Sequence, residues 1–215
     1  MVRILVADDH DVMRRGLRNL LVEHKGWEVC GEAENGREAV DLAVHLRPDV
    51  AVLDISMPEL NGLEATRRIR KQVPDTEVLI FTLYETDQLV REVLRAGARG
   101  YVLKSDAALH LTAAVEALAK RQAFFTPGIS KTLLTTFLGA EEQWHEGSTS
   151  TGLTTREREV VQMLAEGKTN KEVASTLYIS LNTVETHRAT IMRKLGFTSI
   201  VEIVRYAVRN KLIEP

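Results

Sequence analysis

The chain has 215 residues, 44% of them hydrophobic and 27% charged, with a formal net charge of −2, which is room for one large or two small globular domains. No run nears the roughly 20 apolar residues that span a bilayer and the N-terminus lacks a signal-peptide pattern, so a cytoplasmic protein without a membrane segment is expected. A single cysteine, Cys30, excludes an internal disulfide and a cysteine-based zinc site; in the strand-like "WEVCGEA" it reads as a small buried residue. The charge is uneven: −3 over residues 1–121, −2 over 122–152 and +3 over 153–215. An acidic first part and a basic last part suggest two jobs.

In chain order, "VRILVA" (2–7), "WEVCGEA" (27–33), "DVAVLD" (49–54), "EVLIFT" (77–82) and "RGYVLK" (99–104) are predicted strands. Between them, Met13/Leu17/Leu20/Leu21, Ala39/Val40/Ala43/Leu46, Leu63/Thr66/Ile69/Val73 and Leu89/Val93/Leu94 recur at helical spacing, and Leu111, Ala114, Val115 and Leu118 continue it after the last strand. Strands alternating with helices form βαβ units, and strands apolar throughout are buried on both faces. Five such units predict a flavodoxin-like α/β fold, a five-stranded parallel doubly wound sheet over residues 1–121. Residues 122–152 then read as a linker, with one short helix after Pro127 and a polar stretch "GAEEQWHEGSTSTG" (139–152).

A second, small all-α domain is predicted over 153–215, with helices near 155–166, 170–177, 181–195 and 199–211. Thr154 with Glu157 and Thr169 with Glu172 have capping-box spacing, and Gly167 and Gly196 suit helix stops. The turn "YISL" between the second and third helices has helix-turn-helix length. On the third helix Val184, Ile191 and Leu195 should face the core, leaving Asn182, Glu185, Thr186, Ala189 and Arg193 outside. The fourth helix carries more apolar residues (Val201, Val204, Tyr206, Val208, Leu212) than one core face uses.

In a doubly wound sheet, ligands bind beyond the carboxyl ends of the strands. There the predicted strands place Asp8-Asp9, Asp54, Thr82 and Lys104. Each alone has an ordinary explanation as a helix cap, a β-former or a surface charge. Together they suit phosphoryl transfer to a carboxylate: clustered carboxylates call for a divalent cation, and oxygen-only ligands favour Mg²⁺. One aspartate attacks phosphorus, while the ammonium and hydroxyl stabilise the charge on the equatorial oxygens. His10 opens the first helix rather than binding the metal, and Asp11 suits its first turn.

With "ADDH", "LDISMPELNG", "FT" and "GYVLK" at these strand ends, residues 1–121 resemble a two-component receiver domain of CheY-like fold. The resemblance implies that Asp54 is the phosphoacceptor, served by a sensor histidine kinase. It implies Mg²⁺ held by Asp9, Asp54 and the backbone carbonyl of Ser56, with Asp8 acting through water. Lys104 and Thr82 would hold the phosphoryl group, Pro58 and Gly62 would shape the loop after Asp54, and Tyr101 would repack behind Thr82 as a switch. Two departures stand out. Leu83 follows the hydroxyl where many receivers have a small residue, narrowing access to the phosphoryl group. Ser105 follows Lys104 where many have proline, so a cis bond there would cost about 3–4 kcal/mol.

Residues 153–213, with "LTTRERE", "AEGKTNKEVA" and "SLNTVETHRATIMRKLG", resemble the LuxR-type helix-turn-helix domain. The two resemblances together indicate the NarL/FixJ class of response regulators. They imply Lys171, Thr183, His187, Arg188 and Lys194 at DNA phosphates or groove flanks, and Glu185, Thr186 and Ala189 facing bases of double-stranded promoter DNA. An acid facing DNA is tolerated mainly when it accepts from cytosine N4, and His187 could instead pack internally. A homodimer through the last helix, controlled by phosphorylation, and RNA polymerase as a further partner complete the expectation. Two other readings remain at this point. One is an aspartyl-nucleophile phosphatase, which uses D-x-D after the first strand where this chain has D-D-H. The other keeps DNA binding but makes the first domain a phosphorylation-independent dimerisation module.

Overall fold

The computed structural model describes residues 1–126, 129, 152–210, 212 and 213. They fall into two compact units. The first alternates β1 (Val2–Ala7), α1 (Asp11–Val22), β2 (Trp27–Ala33), α2 (Gly36–Leu46), β3 (Val50–Leu53), α3 (Gly62–Gln72), β4 (Glu77–Thr82), α4 (Asp87–Ala96), β5 (Gly100–Leu103), α5 (Ala107–Ala119) and β6 (Phe124–Phe125). A 3-10 turn, Lys104–Asp106, joins β5 to α5.

All strand pairs are parallel, in the order β2-β1-β3-β4-β5-β6. The first connection runs outward to β2 and the rest run the other way, so the order reverses beside β1 and β3, where a doubly wound sheet binds ligands. The continuous apolar strands are explained by burial on both faces: Ile4, Leu5 and Val6 are all inaccessible to solvent. One face packs Ile4, Val6, Val52, Leu79 and Phe81 against Leu17 and Leu21 of α1 and Leu111, Val115 and Leu118 of α5.

Two expectations are corrected here. The sheet has six strands rather than five, because Phe124 and Phe125 pair with Gly100 and Tyr101. A two-residue strand has too little pattern to be seen in sequence, and Phe124 is held by packing against the core and a tilted contact with His110. Leu20, assigned to the apolar face of α1, is 41% exposed; Arg14 takes a core position instead. Cys30 is half-buried, with its thiol donating to the Ile4 carbonyl. Apart from Ile129, the predicted helix after Pro127 lies outside the described residues, as does most of the linker.

The second unit contains α6 (Thr155–Ala165), α7 (Asn170–Leu177), α8 (Leu181–Leu195) and α9 (Ile200–Arg209). Both predicted capping boxes form, and Ser199 with Glu202 makes a third. Ser180 caps α8 by accepting from the Thr183 amide at 3.1 Å, and Gly196 closes that helix in the left-handed region. The α7–α8 turn is three residues, Tyr178–Ser180, one fewer than expected, with Tyr178 in the left-handed conformation as the cap of α7. Val160, Val161, Val173, Val184, Ile191, Ile203 and Ala207 form the core.

Candidate functional site

The carboxyl ends of the strands bring the sequence-assigned acids together. Asp8 and Asp9 follow β1, and Asp54 follows β3. With His10, they offer ligand atoms that all lie within 4.8 Å of one another. Lys104, at the end of β5, places Nζ 2.8 Å from Asp8 Oδ2 and 2.8 Å from Asp54 Oδ2. Asp54 Oδ1 accepts from its neighbour, the Ile55 amide, at 2.7 Å. Asp8 Oδ1 accepts from the His10 amide at 2.9 Å, and the His10 ring lies 3.0 Å from Asp9. His10 thus stands at the start of α1 as expected, without a capping hydrogen bond from its side chain, and its ring leans on the acids, a proximity that sequence spacing does not reveal.

Asp8, Asp54 and Lys104 are buried. Burial pushes the Asp54 carboxyl up to about 6 even though the Lys104 ammonium pulls it down. Burial likewise opposes the charge on Lys104, but Asp54 and Asp8 together hold its ammonium above the ordinary range. Three carboxylates converge with one ammonium, so two negative charges remain for a divalent cation to neutralise. Apart from the His10 ring the converging donors are carboxylates, and three carboxylates with this surplus of charge fit Mg²⁺.

The loop after Asp54 depends on Gly62. Its amide donates to the Ile55 carbonyl at 2.9 Å, and a Cβ would drive into the Asp54 carbonyl oxygen. Asn61 caps α3 by accepting from the Glu64 amide at 3.0 Å. Thr82 is buried, and its hydroxyl lies 3.5 Å from the Tyr84 amide. Tyr101 is also buried, and its hydroxyl donates to the Tyr84 carbonyl; burial, reinforced by Glu85, pushes its phenol pKa up. Leu83 is 61% exposed, so its bulk projects into solvent. The Lys104–Ser105 bond is trans.

Sequence reasoning overlooked Arg14. Its side chain is 8% exposed, and it reaches the Asp8 carbonyl at 2.8 Å. The signal was present: Arg14 shares the helical phase of Leu17 and Leu21, where a cation is out of place unless it has work to do.

In the second unit, Asn182, Glu185, Thr186, Ala189 and Arg193 form the exposed face of α8. Lys171, Glu185 and Arg188 line a cleft of about 640 Å³ with Lys168 and Thr169. Thr186 donates its hydroxyl to the Asn182 carbonyl at 2.9 Å, so its polar group is engaged by its own helix. Thr183 takes part in the α8 cap, with its hydroxyl 2.8 Å from that of Ser180. His187 is half-buried. Lys194 behaves differently: Nζ pairs with Glu157 at 2.7 Å and with the Gly152 carbonyl at 3.2 Å.

A parallel sheet with an acidic pocket at its strand ends, followed by a helix-turn-helix unit, defines a two-domain signalling regulator. Residues 4–116 match the response regulator receiver domain, and residues 151–207 match the bacterial regulatory proteins of the luxR family. The oxygen regulatory protein NreC of Staphylococcus epidermidis is 36% identical over 99% of this chain and 100% of its own length. The transcriptional regulatory protein LiaR of Bacillus subtilis is also 36% identical, over 99% of this chain and all of its own. A solved RcsB–DNA complex is 25% identical, covers 95% of this chain and 96% of that one, and superimposes with a TM-score of 0.58. The chain therefore belongs to the NarL/FixJ-class response regulators, which join a receiver to a LuxR-type DNA-binding domain. It is a DNA-binding regulator of transcription in a two-component system, and no helix among the described residues is long and apolar enough to cross a membrane.

Proposed function

We propose that Asp54 accepts a phosphoryl group from the phosphohistidine of a sensor kinase and that this controls pairing on promoter DNA. The observation that carries this is Lys104 Nζ at 2.8 Å from both Asp8 and Asp54, joining acids from two strand ends to the end of a third. Asp9, Asp54 and the Ser56 carbonyl would hold Mg²⁺, with Asp8 acting through water; the bound ion supplies charge neutralisation on the phosphoryl oxygens. An Asp54 carboxylate oxygen bonds to phosphorus as the P–N bond breaks, and the donor imidazole keeps the electron pair. Lys104 then turns from the carboxylate to a phosphoryl oxygen, and Thr82 donates its hydroxyl to another. Tyr101, hydrogen-bonded to the loop that follows Thr82, relays the change to the α4–β5–α5 face. The receiver performs this transfer and its own slow dephosphorylation, without turning over a phosphomonoester substrate.

In this reading residues 1–121 are the receiver, 122–152 the linker and 153–215 the DNA-binding domain. Lys171, Thr183, His187 and Arg188 meet phosphates or groove flanks. Glu185 accepts from cytosine, while Thr186 and Ala189 offer methyl groups to thymine. Lys194, drawn to Glu157, acts as an internal strut instead. The excess apolar surface of α9, where Val201 is 53% exposed, serves a homodimer on DNA.

The test is phosphoryl incorporation from a small phosphodonor, followed by DNA affinity. Wild type should incorporate once and hydrolyse slowly, and should bind DNA more tightly when phosphorylated. Asp54→Asn should remain folded and incorporate nothing. Incorporation equal to wild type would rule out Asp54 as acceptor; equal DNA affinity with and without phosphodonor would favour the phosphorylation-independent module.

A further inference from the structure

We propose that Arg14 is a positioning residue: its guanidinium locks the Asp8–Asp9 peptide so that both carboxylates converge with Asp54 on the divalent cation. The proposal rests on the reading of Asp8, Asp9 and Asp54 as the Mg²⁺ pocket. Arg14 lies in the core phase of α1, beside Leu17 and Leu21. A guanidinium removed from water there is tolerated only with its donors and charge satisfied.

The partners divide by kind. Nη1 donates to the backbone carbonyl of Asp8 at 2.8 Å. Nη2 reaches Asp11 at 3.2 Å and Glu34 at 2.8 Å, and Nε lies 3.8 Å from Glu32. The charge is thus met by three carboxylates outside the pocket, and the pocket carboxylates of Asp8 and Asp9 stay free of Arg14. What Arg14 takes from the pocket is a carbonyl oxygen alone.

That oxygen is well placed to control direction. The Asp8 amide already donates to the Ala33 carbonyl at 3.2 Å, so Arg14 completes the anchoring of both backbone groups of Asp8. A planar peptide then fixes the bond leading into Asp9. Asp9, with a side chain 31% exposed, projects from that plane. Glu34, the outer partner, is itself held, its amide donating to Glu38 at 2.8 Å. A lysine cannot reproduce this, because one ammonium lacks the planar fork that reaches a carbonyl and separate carboxylates together.

Calorimetric Mg²⁺ titration of the full chain tests this, with Arg14→Lys, Arg14→Met and Asp54→Asn beside wild type. The expected result is a Kd for Mg²⁺ raised about tenfold in Arg14→Lys and at least as much in Arg14→Met, the size typical of an outer-shell partner. Phosphoryl incorporation should need about tenfold more Mg²⁺ for half-maximal rate, yet reach about the wild-type rate at saturation. Arg14→Lys decides the matter if Arg14→Met fails to fold. A Kd within about twofold of wild type in Arg14→Lys, whatever its thermal midpoint, overturns the proposal by showing a merely structural role. If Asp54→Asn binds Mg²⁺ as tightly as wild type, or wild type binds none, the pocket reading fails and takes the Arg14 proposal with it. A shift confined to the Arg14 variants cannot be confused with that failure.

Discussion

Three carboxylates and one ammonium make a pocket whose affinity for a divalent cation should depend on pH. Burial pushes the folded Asp54 carboxyl up to about 6 from an ordinary value of 3.8. Between those values the native chain keeps a proton that the unfolded chain releases. Stability without metal should therefore fall as pH rises through this window, then level off above about 6. Mg²⁺ competes with the same proton, so its affinity should be about tenfold weaker at about pH 5 than at about pH 7.5. Titrations at the two pH values, with denaturant unfolding in chelator, check both signs; a flat affinity would contradict the Asp54 assignment. Gly62 is a further residue on which the pocket depends. Gly62→Ala should cost about 3 kcal/mol, because the new Cβ meets the Asp54 carbonyl rather than a flexible side chain. Chemical denaturation measures it, and a neutral result would show that the loop can shift freely.

At the level of elements, the two units are specified by different devices. The receiver sheet relies on double-sided burial of its central strands, and the ends of β1, β3, β4 and β5 then project their chemistry from a rigid base. The helical unit relies on caps: Thr154, Thr169, Ser180 and Ser199 all stand at helix starts. Lys194 ties the end of α8 to Glu157 in the α6 capping box. Burial opposes the charge on Glu157, yet Lys194 and Thr154 hold its carboxyl below the ordinary range. Lys194→Met should therefore destabilise the chain by about 1–2 kcal/mol, a figure reduced for the exposed side of the lysine. It should leave the salt dependence of DNA binding unchanged. A lower salt slope in that variant would return Lys194 to the phosphate contacts. The element pattern was legible because the periodicity and caps are local signals. Phe124–Phe125 was not, since a two-residue strand exists only through its pairing with β5.

For the whole molecule, the charge division runs parallel to the two matched families. The excess of +3 over 153–215 stands against −3 over 1–121, so DNA binding should weaken steeply with salt. Lys171→Gln and Arg188→Gln should each lower the salt slope by about 1 across all sequences. Glu185→Gln should instead alter base preference at one position and leave the slope in place. Binding measured at several salt concentrations separates the two classes. The sequence by itself determined the alternation of elements, the strand-end acids, the lysine and the recognition helix, because each is written as local periodicity or as a motif tied to a strand end. Only the tertiary structure decided that Lys104 bridges two acids, that the His10 ring leans on them, that Lys194 turns to Glu157, and that Arg14 grips the Asp8 carbonyl. Those contacts join side chains and carbonyls whose meeting depends on rotamers and helix rotation, and spacing along the chain does not encode either.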